Sequence, residues 1–162
     1  MKLYFKSITS EPFSEFISYS SSSPIPVTLK LSRSTILPNT LYARNLYGEN
    51  FIEFRFNRET RKLYEITIVA IQPDTVKFDN DNWIGRDEFY ECCIEDENEL
   101  EISEPIQILR SNKSLCFFWG EKPFHTYPIA KNCILGIDRD KKLCSVLLVN
   151  LNNELVYDIL GF

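Results

Sequence analysis

Few side chains in this sequence have the types and spacing that chemistry requires. His125 is the sole histidine among 162 residues, and the cysteines are Cys92, Cys93, Cys116, Cys133 and Cys144. A metal site would therefore lean on cysteine and carboxylate ligands, yet no C-x-x-C spacing occurs and the last three cysteines are scattered. Cys116 and His125 have the residue types of a thiolate–imidazole pair. Cys116 lies in "SLCFFW", however, where a cysteine ordinarily fills core space as a small hydrophobe. The stretch "DNDNWIGRDEFYE" invites comparison with a calcium loop, which needs an oxygen ligand fifth, Gly sixth and Glu twelfth. Counted from Asp79, those places hold Trp83, Ile84 and Tyr90, so the comparison fails. There is no phosphate-cradling glycine loop and no G-x-S-x-G elbow. Carboxylates are so dense between 87 and 104 that no acid–base pair stands out. The expectation is no catalytic residue, no metal, no cofactor and no enzymatic activity.

The carboxylates themselves are the strongest signal. "ECCIEDENELEISE", residues 91–104, carries seven acids and no Lys or Arg. From Asp79 to Glu104 there are eleven acids against Arg86 alone, a local charge of −10 in a chain whose net charge is −5. The remainder is thus positive by 5. A field of this sign repels nucleic acid and attracts basic protein surfaces. The same segment holds Trp83, Phe89 and Tyr90, and interfaces combine aromatic anchors with charge that steers encounter. Carboxylates entering a basic, phosphate-binding cleft would take the places of substrate phosphates, and nucleases have such clefts. On this basis the candidate contact residues are Asp81, Trp83, Asp87, Glu88, Tyr90, Glu91, Glu95, Asp96, Glu97 and Glu99. The plainer alternative is a solvated acidic segment that only keeps the protein soluble.

At 44% apolar residues with twelve Phe, the chain can bury a core, and we expect one compact domain over 1–162. The opening "MKLYFKSITSEPF" lacks an apolar signal region, and no apolar run approaches the ~20 residues that span a bilayer. Five cysteines, odd in number and two of them adjacent, read as reduced thiols, so a cytoplasmic location is expected.

Strands should position these residues. "KLYFKSI" reads as a short strand, "SEPFSEFISY" as a short helix capped by Ser10, and "SSSSP" as a connector. From Ile25, the residues Ile25, Val27, Leu29 and Leu31 alternate with Pro26, Thr28 and Lys30, the period of a half-buried strand. In "FIEFRFNRETRKLYEITIVAI", Ile52, Phe54 and Phe56 alternate with Glu53 and Arg55. Tyr64, Ile66 and Ile68 alternate with Glu65 and Thr67, and "NRETRK" supplies a hairpin loop. "TVKF", "PIQIL", "SLCFFW" and "LCSVLLV" read as further strands, while "NNELVYDILGF" fits a terminal helix or a last strand.

A shift of about 80 residues brings similar segments together. "PVTLKLSRSTIL" (26–37) lies over "PIQILRSNKSLC" (105–116). The hairpin lies over "LGIDRDKKLCSVLLVNL" when one loop residue is deleted, matching Arg58 with Arg139, Lys62 with Lys142 and Leu63 with Leu143. Two similar units, 22–80 and 101–160, joined by the acidic segment 79–104, would follow. The hairpin and its echo, about a quarter of the chain, resemble immunity proteins of bacterial toxin systems, particularly contact-dependent growth inhibition. That resemblance implies a small cytoplasmic protein that binds and neutralises the C-terminal toxin domain encoded upstream, commonly a nuclease. It transfers no site residue. The fold class expected is mainly β with minor α: antiparallel sheets packed as a sandwich, two similar halves, and one or two short helices. The partner expected is a cognate toxin domain, with neither nucleic acid nor membrane, the chain being a monomer or weak homodimer. The alternatives are another protein-interaction adaptor or a single-strand nucleic-acid binder using the cationic hairpin loops.

Overall fold

The structure is a computed structural model that describes residues 1–18, 26–69, 76–78, 88–111 and 113–160. In chain order the elements are β1 (Leu3–Ile8), β2 (Glu15–Ser18), β3 (Val27–Lys30), β4 (Thr40–Tyr47), β5 (Asn50–Asn57), β6 (Leu63–Val69) and β7 (Val76–Phe78). They continue as β8 (Phe89–Ile94), β9 (Glu101–Ile102), β10 (Gln107–Ser111), β11 (Ser114–Phe118), β12 (His125–Ala130), β13 (Cys133–Ile137), β14 (Leu143–Leu148) and the helix α1 (Asn153–Leu160). The fold is mainly β, as the alternating sequence implied.

Two six-stranded sheets form a sandwich. One runs β2-β3-β6-β5-β4-β9 and the other β12-β13-β14-β11-β10-β7, while β1 and β8 make a separate antiparallel ribbon. Pairing is antiparallel except where β9 joins β4 and β7 joins β10. Ile52, Phe54, Phe56, Ile66 and Ile68 of the first sheet and Leu115, Phe117, Leu135, Val146 and Leu148 of the second belong to one buried cluster. Phe54 and Trp119 meet within it, ring centroids 6.5 Å apart. Burial of these side chains is the main stabilising term, roughly 1.5–3 kcal/mol for each fully buried one.

The two large sheets share a strand order. β2-β3-β6-β5-β4 in one corresponds to β10-β11-β14-β13-β12 in the other. This places "FRFNRETRKLYEITIVAI" and "LGIDRDKKLCSVLLVNL" on equivalent hairpins. It does not place 26–37 on 105–116, because β3 corresponds to β11 and the second segment begins on β10. Alternating strands align in many registers, which is why that part of the comparison slipped by one strand.

Two other expectations change, and one open choice is settled. "SEPFSEFISY" supplies strand β2, whose Phe16 lies opposite Leu29 of β3 and packs against the core. Pairing with β3 satisfies its backbone and overrides the helical spacing of Phe13, Phe16 and Ile17. The ambiguous C-terminus is helical: Asn152 Oδ1 accepts the Leu155 N–H at 2.7 Å, an N-cap, and Val156, Ile159 and Leu160 turn inward. Tyr64 does not alternate inward with Ile66. A bulge pairs Phe56 with Leu63, so Leu63 enters the core and the Tyr64 hydroxyl meets Thr40 Oγ1 at 2.6 Å.

Candidate protein-binding surface

The two equivalent hairpin turns organise the surface of interest. In the β5–β6 turn, Asn57 Oδ1 accepts the N–H groups of Glu59 and Thr60, and the Asn57 N–H donates to Lys62 O at 2.8 Å. In the β13–β14 turn, Asp138 Oδ1 accepts from Asp140 and Lys142, and the Asp138 N–H donates to Lys142 O at 2.9 Å. Asn and Asp are suited to such turns because their short side chains bond to the backbone just ahead. Each turn also has one residue with positive φ, Arg61 at 66° and Lys141 at 63°.

The β1–β8 ribbon docks on both turns in the same way. The N–H of Leu3 donates to Lys141 O and that of Ile94 to Arg61 O, each at 3.0 Å, and Leu3 and Ile94 are themselves cross-strand partners. Strand β8, within the acidic segment, is therefore half-buried structure. Cys92, Cys93 and Ile94 are buried, and Glu91, only partly exposed, pairs with Lys62 at 3.0 Å.

Beyond Ile94 the acidic run passes from one turn to the other. Glu97 sits 3.1 Å from Arg58 and 3.5 Å from Arg61, while Glu99 sits 2.9 Å from Lys142 and 3.7 Å from the Met1 ammonium. Hydrogen bonding from Lys142, and its charge, hold the Glu99 carboxyl below the ordinary carboxylate value and raise the Lys142 amine in return. Glu101 lies 3.9 Å from Arg44. These acids act as a clasp between the halves. Glu95 and Asp96 differ: among the described residues neither has a salt-bridge partner, and Asp96 Oδ1 accepts the Asn98 N–H at 2.9 Å. Glu88 is exposed and accepts from the Tyr90 hydroxyl at 3.2 Å.

Next to this clasp lies a groove of about 410 Å³. Tyr90 and Glu91 of β8, Lys62 of the β5–β6 turn, Lys30 and Glu65 are among the residues that line it. Ile36 and Leu37, at 82% and 80% exposure, line it as well. Sequence reasoning missed this pair. An Ile-Leu between Thr35 and Pro38, among Ser and Asn, was the available signal, because such turn-forming surroundings place apolar residues at the surface.

Of the residues singled out from the sequence, Glu88, Tyr90, Glu91, Glu95, Asp96, Glu97 and Glu99 are brought together along β8 and the clasp. Asp81, Trp83 and Asp87 lie outside the described residues, as do Ile25 and the "SSSSP" connector. Phe89 is half-buried. Tyr90 stacks edge-on against Tyr127, centroids 5.0 Å apart, so its ring is part of the packing under the ribbon.

The residues considered for chemistry are far apart or enclosed. Cys116 is on β11 and His125 on β12, separated by β14 and β13, about 14 Å at the usual strand spacing. All five cysteines are buried thiols. Burial pushes the Cys144 thiol up to about 12 and the Cys92 and Cys133 thiols well above their ordinary range. Among the described residues, no group of three His, Cys, Asp or Glu side chains is placed to hold a metal ion, and no helix is long and apolar enough to cross a membrane.

Compared with known proteins, the chain matches no family model and no curated sequence.

Proposed function

We propose that this chain is a protein-binding inhibitor of the immunity type, which neutralises a cognate toxin domain, a nuclease, by covering its basic active site. The observation that carries this reading is the pair Glu95 and Asp96, carboxylates without salt-bridge partners among the described residues, where the acidic run crosses between the two hairpin turns. A basic cleft supplies the opposite charge, and these two carboxylates meet it without first breaking a salt bridge among the described residues. Of the cations the nucleic-acid alternative would use, Arg55, Arg58, Arg61, Lys62 and Lys142 are each engaged by a carboxylate, which weakens that reading; Arg139 lies over the Phe124 ring, 5.4 Å from its centroid, and Lys141 has no salt bridge among the described residues.

The test is co-expression with the toxin-like C-terminal domain encoded immediately upstream, with surviving cells counted. Survival with this chain, and death with an unrelated immunity protein, is the expected result. Death in both cases, with the chain folded and abundant, overturns the proposal. In purified form, Glu95→Lys with Asp96→Lys should slow association by about tenfold at low salt and much less at high salt. An unchanged rate removes the electrostatic part.

A further inference from the structure

We draw no further inference here: the strongest candidate, the apolar outer face of the second large sheet, where Leu109, Cys116, Leu147 and Ile134 form one cross-strand row, carries none because nothing in the structure shows what covers it.

Discussion

Glu95 and Glu97 are two positions apart and alike in type, yet their surroundings give them different roles. Glu97 bridges Arg58 and Arg61 at the surface, and Glu95 has no salt-bridge partner among the described residues. Glu97→Lys should therefore lower stability, by about 0.5–1 kcal/mol because solvent screens exposed pairs, whereas Glu95→Lys should leave it unchanged. Urea denaturation of the two variants checks this, and equal loss in both would contradict the clasp. Glu99 adds a pH dependence. Its folded carboxyl stays ionised below the ordinary value of 4.5, so its stabilisation is present above that pH and lost as pH falls through the folded value. For Lys142 the folded amine is raised above 10.5, so its share is present below that pH and lost as pH rises through the folded value. The difference in urea midpoint between wild type and Glu99→Gln should accordingly be constant near neutrality and shrink in acid.

At the scale of elements, the β1–β8 ribbon matters more than its length suggests, because its Leu3–Ile94 pair touches both hairpin turns. Leu3 is 1% exposed and Ile94 fully buried, so Ile94→Ala should cost about 2–5 kcal/mol, seen as a lower urea midpoint. Strand β13 is constrained differently. A Cβ at Gly136 would collide with the Ser145 hydroxyl and come within 2.7 Å of Pro123 Cβ, next to the bulge between Gly136 and Ile137. Gly136→Ala should cost about 1–3 kcal/mol through overpacking. The same element defeats simple pattern reading, since a bulge shifts every later side chain and leaves no trace in composition.

In the whole molecule, the outer faces of the two large sheets diverge although their strand orders agree. The first carries a charged ladder in which Arg55 lies 2.8 Å from Glu53 and 2.9 Å from Glu65, with its guanidinium 5.5 Å above the Tyr42 ring. The second carries Leu109, Cys116, Phe118, Ile134, Leu147 and Val149 in an apolar cluster of their own. Between the sheets the core is continuous, so neither half has a separate interior. Thermal and urea unfolding should each show one cooperative transition, coincident by fluorescence and circular dichroism. Two resolved transitions would mean that the halves unfold independently.

The strands were legible in the sequence because burial on one face of a sheet imposes a period of two on neighbouring residues, as in Ile52, Phe54 and Phe56. The hairpin turns were legible because Asn57 and Asp138 bond to backbone only a few residues ahead. The acidic run was visible as charge, but its state of pairing was not. Glu97 meets Arg58 across 39 residues and Glu99 meets Lys142 across 43. Chain folding alone sets such distances, and Coulomb interactions depend on distance in space, not along the chain. Tertiary structure thus divided one acidic segment into a clasp and two carboxylates without salt-bridge partners among the described residues, and set Ile36 and Leu37 outside the core.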